Sequence, residues 1–250
     1  MTSYTFSSTR NSPQTISEKC DGTCAVKRDW KKDTIKITQS AFVNTLLKRF
    51  NITARANTPA SPASDPGQTT ADEEMIDRPL RQAVGGVMWL AGMTRPDVAN
   101  AVRAVARHAH DPCENHWNAL LQILAYLNAT RELGITFRRE ETLSLSVYAD
   151  ADYTRKEADR RSISGVAVIM GGAAVYATSR TQHCVTLSTT EAEYVTMAEG
   201  AKEGLFVRSV LSFMQPRKNK VNSNVYEIEI LEDNEGAKVM ARESLAFWPK

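Results

Sequence analysis

The spacing of apolar residues changes near residue 134, and that change limits the chain to a fold built in two styles. Upstream, apolar residues recur every three or four positions, as on one face of a helix. In SAFVNTLLKRF (40–50), Phe42, Leu46, Leu47 and Phe50 share a face behind Ser40, a residue suited to capping the first turn. The same spacing returns in RPLRQAVGGVMWLAGMT (78–94), PDVANAVRAVARHAHD (96–111) and PCENHWNALLQILAYLNAT (112–130). Pro96 and Pro112 stand where a first helical turn tolerates a missing N–H. Downstream the period is two. LGITFRR and LSLSVYAD alternate, and SGVAVIMGGAAVYATSR (164–180) predicts a hairpin turning at Gly171-Gly172, with QHCVTL (182–187) prolonging its second arm. A long helix is predicted from 189 to 213, a strand over NVYEIEILED (224–233) and a short helix over NEGAKVMARESL (234–245). This order predicts an α/β fold, a mixed sheet with helical cover, preceded by a small, mainly helical module that opens on one strand, DTIKITQ (33–39).

Two stretches offer little to bury. MTSYTFSSTRNSPQTISEK is polar, and residues 1–25 are expected to be disordered. Residues 51–76, rich in Pro, Ala, Ser and Thr, read as a linker inside a first unit spanning 26–140; a second unit spans 141–250. A net charge of +2 gives no basic footprint for nucleic acid, so any such partner rests on local residues. Cys20, Cys24, Cys113 and Cys184 lack a second close Cys/His pair to complete a zinc site and read as free thiols of a reducing compartment. No apolar run approaches the ~20 residues of a bilayer span, and no signal peptide is visible. The expected setting is intracellular, cytoplasm or nucleus, without membrane or small-molecule cofactor.

The acids of VYADADYTR (147–155) need a reason, because a carboxylate suits a buried strand poorly. Asp150 closes one predicted strand and Asp233 another, while Glu193 lies on the border of the buried face of the intervening helix, beside a stripe of Tyr194, Met197, Ala201 and Leu205 expected to face the sheet. Glu191, three residues after Ser188, fits a capping box instead. Each strand-end aspartate, taken alone, is also an ordinary turn residue. Carboxylates gathered at one sheet end repel unless a cation joins them. Oxygen ligands without His or Cys select a hard cation, Mg²⁺ or Mn²⁺, and an ion pair of that kind activates water against a phosphodiester. Asp152 reads as a turn residue or outer acid.

The blocks YADADYTRKEADRRSISG, GGAAVYATSRTQ, LSTTEAEY and EDNEGA resemble the ribonuclease H domain of copia-type LTR retrotransposon Pol polyproteins. The segments KRDWKKDTIKITQSAFVNTLLKRFN and RQAVGGVMWLAGMTRPDVANAVRAVARHAHDPCENHWNALLQILAYLNATRELGITF are similar to the region joining the polymerase palm to that domain. The resemblance implies a ribonuclease H-like mixed sheet over 141–250, an end of reverse transcriptase and connection region over 26–140, and Asp150, Glu193 and Asp233 as catalytic metal ligands. It implies two Mg²⁺ (or Mn²⁺) ions, an RNA/DNA hybrid as substrate and the rest of the polyprotein as partner. Arg160 and Arg161 of DRRSISG match positions suited to phosphate contact; solvated turn charges are the alternative. His183 matches no catalytic residue and reads as structural. Tyr153 and Tyr176 replace the family's tryptophans. The chain holds no Y-x-D-D motif, and the family's fourth acid belongs to a segment expected beyond AFWPK, so 141–250 is expected to be a C-terminally truncated domain with three of four ligands that holds its second ion weakly. The alternative function is a catalytically inactive transposon relic that at most binds nucleic acid or a partner protein.

Overall fold

The structure is a computed structural model that describes residues 16–20, 24–61, 66–67, 74–139, 144–153, 160–214 and 227–246. Among the described residues, two four-stranded sheets and six α-helices give a mixed α/β architecture, in agreement with the change of period. The first sheet is antiparallel, in the order β1 (Ile16–Cys20), β2 (Cys24–Asp29), β3 (Thr34–Thr38), β4 (Gly134–Arg138). The mainly helical first module is therefore sheet-bearing: the chain leaves β3, runs through four helices and returns as β4 beside the strand it left. The expected disorder of 1–25 is corrected at Ile16–Cys20 and at Cys24, because β1 and β2 find their hydrogen bonds in this ladder; residues 1–15 and 21–23 lie outside the described residues.

Helices α1 (Ser40–Arg49), α2 (Leu80–Met93), α3 (Ala99–Ala106) and α4 (Glu114–Ala129) surround one core that includes Val43, Leu46, Val87, Leu90, Leu120 and Leu124. Pro96 opens a single 3₁₀ turn, Pro96–Val98, ahead of α3. Pro112 instead lies just outside α4, whose cap is Cys113. Ser40 is the first residue of α1 and not its cap: Gln39 holds the cap position, and the Ser40 hydroxyl lies 3.3 Å from Glu132.

The described part of the 51–76 linker is tied down. The Asn128 side-chain amide donates to the Thr53 and Ala54 carbonyls (3.1 and 2.7 Å), and Ile52, Ala60 and Ile76 pack against the helical core. Its apolar content is low, but α4 supplies donors to its carbonyls. His116, fully buried, accepts from the Cys113 backbone N–H at Nδ1 (3.0 Å), which leaves Nε2–H to donate to Gly67 (2.9 Å).

The second sheet is mixed, in the order β7 (Ala173–Thr181), β6 (Ile163–Met170), β5 (Leu145–Asp152), β8 (Ile228–Leu231). β5, β6 and β7 form an antiparallel meander that turns at Gly171-Gly172, both in the left-handed region. Helix α5 (Thr189–Met214) then leads to β8, parallel to β5, and α6 (Glu235–Ala246) follows. β7 ends at Thr181, so QHCVTL does not prolong it. The predicted strand NVYEIEILED is realised as Ile228–Leu231; its residues 224–226 lie outside the described residues.

The face of α5 that meets the sheet keeps Met197 of the predicted stripe, buried against Ala149 with Tyr194 beside it, and departs from it at Leu205. Gly200 and Gly204 lie against the sheet, where a Cβ would come within 2.9 and 2.8 Å of Val147. Two glycines let the helix backbone sit close to the sheet, which turns Leu205 out to 45% exposure and Glu193 in. Among the described residues, no helix is long and apolar enough to cross a membrane, and Cys113 and Cys184 form no disulfide.

Candidate metal centre

Asp150, Glu193 and Asp233 converge, each offering a carboxylate oxygen such that all three oxygens lie within 4.8 Å of one another. Three elements bring them there. Asp150 stands opposite Gly165 in β5, two residues before the strand ends, and not at its last position. β8 stops sooner, its last pair being Leu231 with Tyr148, so Asp233 emerges at the level of Asp150 on a parallel neighbour. Glu193 comes from the first turns of α5, which the glycine contacts hold low over β5. A Cβ on Gly236 would meet Thr190 at 2.9 Å, so the start of α6, with Asp233 just before it, also lies close to the first turn of α5.

Asp150 and Asp233 are exposed and Glu193 is buried. Burial first, then the Glu232 charge, and further the charges of Asp150 and Asp233, push the Glu193 carboxyl from the ordinary 4.5 up to about 7, against a hydrogen bond from the Ala151 backbone. Glu193 Oε2 is buried without a hydrogen-bond partner. Glu232 is also buried; one of its oxygens accepts from the Asn234 N–H (3.0 Å), and the other is buried and unpartnered. An oxygen-only donor set with orphaned buried carboxylate atoms fits a hard divalent cation.

Glu191 behaves as its capping-box reading requires, shifted by one residue on one side. Ser188 Oγ accepts from the Glu191 N–H (3.1 Å), and the Glu191 carboxylate accepts from Leu187 N–H (2.6 Å) instead of from Ser188. Asp152 pairs with Ile163 inside the ladder and lies outside the converging trio. Arg160 and Arg161 are exposed on the approach to β6, whose first residue pairs with Asp152, so they stand at the acidic end of the sheet; Arg160 has φ +51°.

His183, read as structural, is exposed; the neighbouring Gln182 does that work. Gln182 is fully buried, and its amide nitrogen lies 3.1 Å from Ser164 Oγ, 2.9 Å from the Ala192 carbonyl and 3.2 Å from Thr196 Oγ1. It binds β6 to the turn of α5 that carries Glu193. A glutamine followed by histidine at a strand end reads as ordinary loop polarity, and its only sequence signal is the pair of strand serines, Ser162 and Ser164, that require buried partners.

No protein-family model matches the chain, and no solved structure matches it. The chain is 34% identical over 188 residues to the "Retrovirus-related Pol polyprotein from transposon TNT 1-94" of Nicotiana tabacum, covering 70% of this chain and 14% of that one. It is 33% identical over 180 residues to the corresponding polyprotein from transposon RE2 of Arabidopsis thaliana, covering 71% of this chain and 12% of the relative. It is also 40% identical over 133 residues to "Secreted RxLR effector protein 161" of Plasmopara viticola, 53% of this chain and 94% of that protein.

Proposed function

The chain belongs to the retrovirus-related Pol polyproteins of copia-type transposons, and we propose that it carries their ribonuclease H activity, the hydrolysis of the RNA strand of RNA/DNA hybrids. The observation that carries this reading is the convergence of Asp150, Glu193 and Asp233. On it, the second sheet with α5 and α6 is a ribonuclease H-like fold. The three acids hold Mg²⁺ or Mn²⁺, which when bound supplies an activated water and charge neutralisation at the phosphodiester. The chain's own contribution is positional. Asp150 and Asp233 present their oxygens at the surface, where a nucleic-acid backbone has access, and Glu193 closes the floor. Gln182 and the close glycine contacts keep that floor at a fixed height. Arg160 and Arg161 at the same sheet end suit phosphate oxygens flanking the cut, by charge and by fork geometry. A hybrid is selected by its A-like shape and 2′-OH groups, without base reading.

A second reading has support from the Plasmopara viticola relative, which bears an effector's name and no nuclease's although the chain matches 94% of it. On that reading the fold is retained for binding a partner, without catalysis. The two separate in one assay, with RNA end-labelled in an RNA/DNA hybrid, alone, or in a DNA-free duplex. The nuclease reading expects cutting of the hybrid alone, with Mg²⁺ and not with chelator. An intact hybrid, incubated with demonstrably folded chain and Mg²⁺, refutes it and leaves the binding reading.

A further inference from the structure

Glu232 is not one of the three converging acids, yet its surroundings tie it to the cation. In the parallel pairing of β5 with β8, Leu145, Val147 and the next alternate residue Ala149 are buried beneath α5, and Ile228 lies under Gly204. Continued beyond Leu231, that alternation places Glu232 on the α5 side and Asp233 on the other. Burial agrees: Glu232 is 9% exposed and Glu193 5%, whereas Asp150 and Asp233 are exposed. The four acids thus form two levels, an exposed rim and a buried floor. On the floor, Glu193 and Glu232 each keep one buried oxygen with no hydrogen-bond partner.

Half of Glu232 has a structural task. Its Oε1 accepts from Asn234 N–H (3.0 Å), and Asn234 Oδ1 in turn accepts from Ala237 N–H (3.0 Å), capping α6 and fixing the turn that presents Asp233. That task needs a neutral acceptor only. It explains neither the charge nor the free Oε2, and a buried carboxylate oxygen left without a donor is destabilising, because it has lost its water and gained no partner. Glu232 lies outside the trio whose oxygens approach within 4.8 Å, so it is not placed as a direct ligand. Mg²⁺ and Mn²⁺ keep several of their waters, and such waters donate to outer carboxylates.

We propose that Glu232 is a positioning residue of the metal centre, its free oxygen accepting from a water on a divalent cation held by Asp150, Glu193 and Asp233. This rests on the reading of those three acids as a cation site. The result is a fourth acid supplied by the residue next to Asp233, so that one turn delivers both a ligand and the acceptor for that ligand set's water.

Glu232→Gln tests it, because glutamine keeps an acceptor for Asn234 N–H and nearly the same volume while losing the charge. Mn²⁺ affinity of the full chain, read from the electron paramagnetic resonance of free Mn²⁺, should fall about tenfold, with unchanged circular dichroism. Glu232→Asp, which keeps the charge, should recover part of it. Glu232→Met serves as a second neutral variant should glutamine disturb the fold, with the same loss expected. An affinity within twofold of the unsubstituted chain in a folded neutral variant overturns the proposal, since a purely structural Glu232 predicts that result. Asp150→Asn separates the two claims. If it binds Mn²⁺ as well as the unsubstituted chain, or if neither binds, the cation site itself is wrong and the role of Glu232 falls with it.

Discussion

Asp150→Asn should lower Mg²⁺-dependent cutting of an RNA/DNA hybrid at least about a thousandfold, equivalent to roughly 4 kcal/mol of lost transition-state stabilisation. Asparagine matches the shape of aspartate but removes one of the three charges that converge within 4.8 Å. Asp150 is exposed and makes its ladder contacts through the backbone, opposite Gly165, so the strand survives the change. Single-turnover cleavage with saturating protein separates this loss of chemistry from weaker hybrid binding. A variant that keeps more than a tenth of the rate would show that Asp150 is not part of the reacting centre.

The metal-free chain should lose stability as pH rises through 7, and Glu193→Gln should remove most of that loss. The Glu193 carboxyl titrates near 7 in the folded chain against an ordinary 4.5, because burial and then the Glu232 charge disfavour its ionised form. The folded state therefore holds this proton more tightly than the unfolded state does. The resulting stabilisation is complete below about 4.5, fades as pH climbs and is gone above 7, an amplitude of roughly 3 kcal/mol. In thermal melts with chelator at pH 5 and pH 8, that amounts to a midpoint difference on the order of 10 °C. Glu232, also raised by burial, titrates in the same direction, so the variant's profile should flatten without becoming level. Saturating Mg²⁺ at pH 8 should restore the unsubstituted chain and leave Glu193→Gln little changed. Parallel profiles for the two proteins would mean that Glu193 is not held among repelling acids.

The convergence of the acids was easier to read than the fold around it. Asp150, Glu193 and Asp233 are legible as neighbours because acids at two strand ends and in the first turns of the intervening helix can reach one end of a sheet. The helices of the first module and the Gly171-Gly172 hairpin are legible for a related reason, since period and turn chemistry are local. The first sheet was less so. β1 and β2 are short and polar, which blurs their alternation, and the sheet is completed by β3 meeting β4 about 100 residues later, a pairing that no local window contains. The contact face of α5 was read correctly at Met197 and misread at Leu205, because apolar spacing points to Leu205 whereas the C-terminal part of the contact is made where side chains are absent, at Gly200 and Gly204. Glu232 went unread because a glutamate beside an aspartate at a strand end resembles solvated charge; only its burial distinguishes it.

Anomalous diffraction from crystals of the chain soaked in Mn²⁺ should give a peak bounded by the carboxylates of Asp150, Glu193 and Asp233, with metal–oxygen distances of roughly 2.0–2.4 Å. A saturating soak that leaves those three acids without a peak would contradict their reading as a cation site.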